Sequence, residues 1–301
     1  MNALVITNPA AGREAGNRRV EEAIEILCSA GWDVTTCLTA GPYDARRLAA
    51  EAVVEGRDTV IVAGGDGTIN EAIQALAGTE TTLGYLPNGT INIWARELGL
   101  PLDPRQAARL MIEGHAEQVD LGMAGERYFL LMAGLGFDGE IVRRARSFDR
   151  HKRRFGVLPY VASGLTTVPF YRGTDFELRY DGLIRRVQAL MIVAGNTRLY
   201  GGRFQLTPNA VANDGWLDLC IVKGRGPISL VRQSLPLLLS GSIRHSDVET
   251  LRVRQVAITT DTPVPVQVDG ELTGMTPVEL RVIPRALRAI VPPNFASSLI
   301  A

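Results

Sequence analysis

The sequence predicts an α/β fold in two parts: an N-terminal domain built on a parallel sheet, and a β-rich, antiparallel, sandwich-like C-terminal domain. Three observations predict it. Short apolar runs alternate with segments of helical period as far as Leu121, the order that builds a parallel sheet covered by helices. Beyond that residue strand-like runs dominate, separated by Gly, Pro and Asp, with the hairpin dipeptide Asp181-Gly182 between two of them. The 301 residues exceed the usual size of one core, and 46% hydrophobic with 21% charged residues is the composition of a chain that folds. The expected division is 1–121 and 122–301, with the last strand free to return to the first domain.

The elements follow in order. Residues 4–7 read as a buried strand; Val20, Ala23, Ile24 and Leu27 then share one helical face, and Gly31 is a natural helix stop. Residues 32–38 form a second strand. After Pro42 a second helix is marked by Leu48, Ala49, Ala52 and Val53. A third strand at 59–63 leads through a glycine-rich turn to a helix at 69–76 and a strand at 83–86. In the second part, helices are expected at 141–146, 157–167 and 228–239. Strands are expected at 176–180, 187–193, 216–222, 251–258, 264–268, 278–282 and 287–291.

Charge and cysteine content exclude several classes. The 32 basic and 32 acidic side chains cancel, so no overall field draws the chain to nucleic acid or to an anionic membrane. Cys28, Cys37 and Cys220 have neither disulfide-framework nor zinc spacing, and His115, His151 and His245 are scattered. The first apolar run ends at Asn8-Pro9, too early for a secretory leader, and no stretch reaches the roughly 18 apolar residues of a membrane span. A cytoplasmic protein is expected, and a membrane-borne substrate would be reached from water.

The sharpest motif is Gly64-Gly65-Asp66-Gly67-Thr68, between an apolar strand and a helix. Glycines let the backbone approach a polyphosphate, and the free amides of a helix start face the anion with the macrodipole behind them. A carboxylate in such a loop would repel phosphate unless a cation intervened, so Asp66 argues for Mg²⁺. The same residues also make a plain strand-to-helix turn with Asp66 or Thr68 as a cap. Asn8, Pro9 and Gly12 after the first strand, Thr39 after the second, and Thr90 and Asn92 after the fourth leave the same sheet edge, where ligands of parallel sheets bind.

Taken as an ordered set, these residues resemble the diacylglycerol kinase catalytic-domain family, in its soluble bacterial lipid kinase branch, over nearly the whole chain. The resemblance is carried by Asn8-Pro9, by the glycine motif with Asn70-Glu71, and by Gly89-Thr90 with Asn92 and Ala95-Arg96. It continues through Pro208-Asn209-Ala210, Asn213-Asp214-Gly215 and Asp269-Gly270-Glu271. One departure stands at Ile91 and Ile93, where the family's usual pattern is a small residue, Asn, then Asp. The resemblance implies that the first domain binds ATP and the second the lipid. The γ-phosphoryl group of Mg-ATP would pass to the hydroxyl of a membrane lipid, diacylglycerol giving phosphatidic acid being the first choice. It implies Glu271 as proton acceptor, with Asp269 close behind, and a structural Mg²⁺ on the Asp214 carboxylate and the carbonyls of Val211 and Trp216.

The glycine loop alone is shared with NAD kinases, so an NAD kinase-like enzyme of a soluble substrate stays open, as does an ATP-binding regulator without turnover. The stretch 143–154, with Arg143, Arg144, Arg146, Arg150, His151, Lys152, Arg153 and Arg154, is the one dense basic run. It reads either as a solvated face or as a patch docking transiently on an anionic membrane, with Phe148 and Phe155 inserting. The second reading gives peripheral association with the inner membrane face. Arg13, Arg18 and Arg19 could reach phosphates or be exposed helix charges. No nucleic-acid partner is expected, and a homodimer is left open.

Overall fold

The structure, a computed structural model, describes residues 1–12, 14–147, 158–240, 247–293 and 299. The chain divides into two compact units, one of Met1–Leu121, Ala212–Asp214 and Pro284–Ala301, the other of Gly122–Val211 and Gly215–Ile283.

The first unit is a parallel sheet. Strands β1 (Asn2–Thr7), β2 (Asp33–Leu38), β3 (Thr59–Gly64) and β4 (Thr82–Pro87) lie in the order β4-β3-β1-β2. Strands β3 and β4 are buried at every residue, as continuous runs covered on two faces must be, whereas the edge strand β2 has no buried residue. Helices α1 (Glu14–Ser29), α2 (Asp44–Val54), α3 (Asp66–Leu76), α4 (Ile93–Glu97) and α5 (Pro104–Glu113) complete the layers. Val20, Ala23 and Leu27 of α1 meet Ala107, Ala108 and Met111 of α5 over Ile61, Ala63 and Leu86. A Cβ on Gly84 would stand 2.8 Å from Met111 Sδ, so the glycine admits α5 onto β4.

Helix α5 escaped the periodicity reading, although its start carries a plain signal. Asp103 accepts a hydrogen bond from the amide of Arg105 at 3.0 Å, with Pro104 at the first helical position. The Arg105 guanidinium forks onto the same carboxylate, at 2.9 and 2.6 Å, and reaches Glu22 of α1 at 3.0 Å. Hydrogen bonds from Arg105 hold the Asp103 carboxyl down at about 2. A depressed carboxylate contributes stability above its ordinary range and loses it as pH falls through its folded value. Asp103→Ala is therefore expected to destabilise the protein by about 1 kcal/mol at neutral pH, and urea titrations should show the gap closing as pH falls from about 4 towards 2.

The second unit is antiparallel. Residues 122–124 of β5 (His115–Ala124) pair with β6 (Arg127–Phe129), and β7 (Met132–Gly136) runs into helix α6 (Phe137–Ser147). Helix α7 (Leu158–Thr167) and the hairpin of β8 (Thr174–Tyr180) and β9 (Leu183–Gly195) follow. Asp181 and Gly182 turn that hairpin with φ of 48° and 74°, the positive pair a two-residue turn requires. Short strands β10 (Leu199–Tyr200) and β11 (Phe204–Gln205) precede β12 (Leu217–Lys223) and helix α8 (Gly226–Ser240). The unit continues with β13 (Val248–Val253), β14 (Gln255–Thr260), β15 (Pro265–Val268) and β16 (Glu271–Met275), then enters β17 (Val278–Val291). Its core gathers Phe129, Phe176, Leu178, Leu217, Leu219 and Val256.

Two strand expectations change. The run at 251–258 is two strands, because the chain changes partner: β13 pairs with β12, and β14 pairs with β8 and β17. Between them Arg254 lies 4.6 Å over the ring of Trp216. Conversely, the runs at 278–282 and 287–291 belong to one strand that Pro284 does not end. Its residues 278–281 pair with β14 in the second unit, and 288–289 pair in parallel with β4 in the first. At the crossing Arg285 has φ of 52° and donates its amide to Asp120 at 2.7 Å.

Candidate active site

In the first unit the loops singled out by sequence meet at one sheet edge. Strands β1, β3 and β4 are parallel neighbours, so the segments leaving their C-terminal ends emerge side by side. Main-chain bonds continue the ladders past the strands: Asn8 N donates to Ala63 O at 2.9 Å, Asn88 N to Gly64 O at 2.8 Å, and Thr39 N to Thr7 O at 2.9 Å. Side chains then tie loop to loop. Asn8 Nδ2 donates to Thr68 Oγ1 at 3.0 Å, and Asn88 Nδ2 to Asn17 Oδ1 at 2.9 Å.

Only small residues fit between them. A Cβ on Gly89 would stand 2.5 Å from the Cα of Gly65, and one on Gly12 would stand 2.4 Å from Asn88 Oδ1. Pro9, Gly67 and Thr90 are exposed on the loops, while Gly12, Thr39 and Gly65 are half buried. Gly65 is the residue before α3, and Asp66 opens that eleven-residue helix. Its first turn directs main-chain amides to this edge, where an anion is favoured.

Asp66 does cap a helix, but not its own. Its carboxylate accepts from Ile93 N at 3.0 Å and Trp94 N at 3.2 Å, holding the start of α4. Burial raises the Asp66 pKa, and those two amides act against the rise. The departure at Ile93 leaves this contact intact, since it is made by the main chain. Asn92, expected as a nucleotide contact, is a buried brace of its loop. In the left-handed region (φ 53°), it accepts from Gly89 N and Tyr85 OH, each at 2.9 Å, and donates to Gly89 O at 3.0 Å.

In the second unit the hairpin of β15 and β16 carries Asp269, Gly270 and Glu271. Asp269 (φ 48°) and Gly270 (φ 83°) form its turn. The Asp269 carboxylate accepts from three successive amides, Leu130 at 2.8 Å, Leu131 at 3.0 Å and Met132 at 2.9 Å. Its own amide donates to Met132 O at 2.9 Å. A carboxylate holding three amide protons is a clamp on the 130–132 segment, which makes Asp269 a poorer acceptor for a further proton than Glu271. Asn196 holds the other side of that segment, donating Nδ2 to Leu130 O and its amide to Leu131 O, each at 2.9 Å. Glu271 keeps solvent contact. Its carboxylate meets Arg127 Nη2 at 2.7 Å, with the two side chains 30% and 24% exposed.

Behind the hairpin lies a network that the sequence reading missed. Asp138, at the start of α6, is 2% exposed. It accepts from Gln267 Nε2 at 2.6 Å and from the Tyr200 hydroxyl. Burial pushes its pKa up, while the bonds from Tyr200 and Gln267 oppose the rise. The available signal was Gly134-Leu135-Gly136-Phe137-Asp138, a second glycine-rich strand-to-helix turn with an aspartate.

Asp214 belongs to the first unit, Val211 and Trp216 to the second, and all three are half buried. Arg252 and Arg254 stack on Trp216 at 5.4 and 4.6 Å. Of the basic stretch, Arg143 and Arg144 are both paired with Glu140, at 2.7 and 2.8 Å, which reduces its charge. Phe148, Arg150, His151, Lys152, Arg153, Arg154 and Phe155 lie outside the described residues, as does Arg13. Arg18 faces Glu22 at 3.6 Å as an exposed helix pair. Among the described residues no helix is long and apolar enough to cross a membrane, and no three His, Cys, Asp or Glu side chains group to hold a metal.

Known proteins share this architecture and sequence. Residues 2–124 match the profile of the diacylglycerol kinase catalytic domain, and residues 132–291 that of the YegS C-terminal NAD kinase beta sandwich-like domain. A diacylglycerol kinase of Mycobacterium tuberculosis is 34% identical over 295 residues, covering 95% of this chain and 94% of its own. One of Bacillus subtilis is 32% identical over 300 residues, covering 99% and 98%. A crystal structure assigned as a diacylglycerol kinase from Bacillus anthracis str. Sterne superposes with a TM-score of 0.82 at 26% identity, covering 98% and 96%. With these likenesses extending over nearly its full length, the chain belongs to the diacylglycerol kinase family.

Proposed function

We propose that this chain is a lipid kinase that transfers the γ-phosphoryl group of ATP to the hydroxyl of diacylglycerol, giving phosphatidic acid. The observation that carries the reading is the knit of loops after β1, β3 and β4 around the first turn of α3. Phosphoryl transfer asks the protein to hold the phosphate tail, neutralise its charge, and aim and deprotonate the attacking hydroxyl. Asn8, Pro9, Gly12, Thr39, Gly64, Gly65, Gly67, Thr68 and Thr90 line the edge for the first task, with Asn92 and Asp66 stiffening it. Glu271, partly exposed and paired through one oxygen with Arg127, takes the hydroxyl proton.

The Mg²⁺ that accompanies ATP would find a hard oxygen ligand in the Asp66 carboxylate and would neutralise phosphate charge, while a separate, structural Mg²⁺ is the reading for the Asp214 carboxylate and the carbonyls of Val211 and Trp216. Each Asp66 oxygen accepts one amide and keeps a second lone pair, so its capping role leaves room for this. The membrane is met transiently through the basic stretch 143–154, of which 148–154 lie outside the described residues. A homodimer remains compatible with this reading.

The test is a reaction of the purified chain with ATP and vesicles of total bacterial lipid, products identified by mass, with NAD as a second acceptor because the C-terminal profile is shared in name with NAD kinase. Phosphatidic acid is expected, and the chain should pellet with anionic vesicles less at high salt. Phosphorylated NAD without lipid phosphate would replace the reading with a soluble-substrate kinase; ATP binding without transfer would replace it with a regulator.

A further inference from the structure

We propose that Gln267 is the positioning residue for Glu271, and that Asp138 and Tyr200 fix Gln267 for this task; the inference rests on Glu271 accepting the hydroxyl proton, as proposed above. The connection is a chain of hydrogen bonds that converges on the Asp138 carboxylate from both ends. Gly270, next to Glu271, donates its amide to Gln267 Oε1 at 2.7 Å. Gln267 Nε2 donates to Asp138 Oδ2 at 2.6 Å, and Tyr200 donates its hydroxyl to Asp138 Oδ1. Turning the Gln267 amide over would set NH₂ against the Gly270 amide and C=O against the carboxylate, so one rotamer alone satisfies both ends.

Space is made for this relay. A Cβ on Gly134 would stand 1.5 Å from Asp138 Oδ2 and 2.7 Å from Gln267 Nε2; one on Gly139 would stand 2.2 Å from Pro265 O, so α6 packs directly on β15. Asp138 and Gln267 are 2% and 3% exposed. A carboxylate buried on two neutral donors lowers stability, and a hairpin does not need one. The hairpin of β8 and β9 demonstrates this: its Asp181-Gly182 turn has the same positive-φ pair, and among the described residues no side chain braces the Gly182 amide. Of these two Asp-Gly turns, among the described residues, the one that carries Glu271 has the relay.

The experiment compares wild type, Glu271→Gln, Gln267→Met, Asp138→Leu and Asp138→Asn as full chains, with ATP and diacylglycerol in mixed micelles, recording kcat and the KM for ATP separately. Gln267→Met should lower kcat about 10²-fold, the scale of an ångström-sized misplacement, with the ATP KM within about twofold. Asp138→Asn should recover most of what Asp138→Leu loses, because an amide oxygen still accepts from Gln267 and the Tyr200 hydroxyl can turn to accept from NH₂. Gln267→Met that melts cooperatively and keeps wild-type kcat overturns the inference, as does Asp138→Asn no better than Asp138→Leu. If Gln267→Met fails to fold, Tyr200→Phe decides: a fall in kcat of roughly threefold or more at unchanged ATP KM supports the relay, and unchanged kcat overturns it. An active wild type with a dead Glu271→Gln and a normal Gln267→Met sinks the relay alone. A wild type that binds ATP and transfers nothing to lipid sinks the functional reading, and the inference falls with it.

Discussion

Glu271→Gln should abolish lipid phosphorylation while leaving ATP affinity and folding almost untouched. Glutamine has the same size and keeps a carbonyl oxygen for the Arg127 contact, so the change removes little beyond the ability to take a proton. Loss of a general base lowers kcat by about 10²- to 10⁴-fold. The pair with Arg127 is partly exposed, so its weakening costs under about 1 kcal/mol. The loop edge proposed to bind nucleotide belongs to the other unit. Steady-state turnover, nucleotide titration and a melting curve on one preparation check the three expectations together. Residual transfer within about tenfold of wild type would remove Glu271 from the role of base.

Asp269→Ala should behave in the opposite way, as a folding lesion. The substitution strips the acceptor from three buried amides in succession, those of Leu130, Leu131 and Met132. Buried donors left unpaired cost about 1–3 kcal/mol each, so a total loss of about 4 kcal/mol is expected, a fall in Tm of roughly 10 °C. Asp269→Asn should be milder, about 1–2 kcal/mol. Its remaining oxygen can serve Leu131 and Met132, which share Oδ1, and asparagine tolerates the left-handed φ of 48°. Equilibrium unfolding of the two variants measures the difference. An Asp269→Ala protein as stable as wild type would contradict the clamp.

Much of the fold was legible because its determinants are local. Apolar runs punctuated by glycine gave away β1, β3, β4 and the helices between them, and Asp181-Gly182 marked its hairpin because only a few residues accept two positive φ angles. Elements defined by partners far away in sequence were not legible. The chain from 251 to 258 carries one uninterrupted strand-like pattern, and only the change of partner at Arg254 divides it. Pro284 looks like a strand end, yet Asp120 satisfies the next amide from 165 positions away.

The candidate site divides along the same line. Its residue types could be read from motifs, but their duties could not. The two amides Asp66 caps lie 27 and 28 residues on, and those Asp269 clamps lie 137 to 139 residues back. Asp138 was invisible as part of a network because its partners, Tyr200 and Gln267, are 62 and 129 residues distant. In each case the hydrogen-bond donors around the aspartate come from residues far away in sequence, which no local pattern encodes.

The central claim concerns where the terminal phosphate of ATP goes. The most direct measurement incubates the chain with ATP labelled at the γ-phosphate and diacylglycerol in mixed micelles, then separates lipid from water. The account predicts label in phosphatidic acid, at a rate that falls by about 10²-fold or more in Glu271→Gln. Label that stays entirely in water-soluble species, with ATP demonstrably bound, would contradict it.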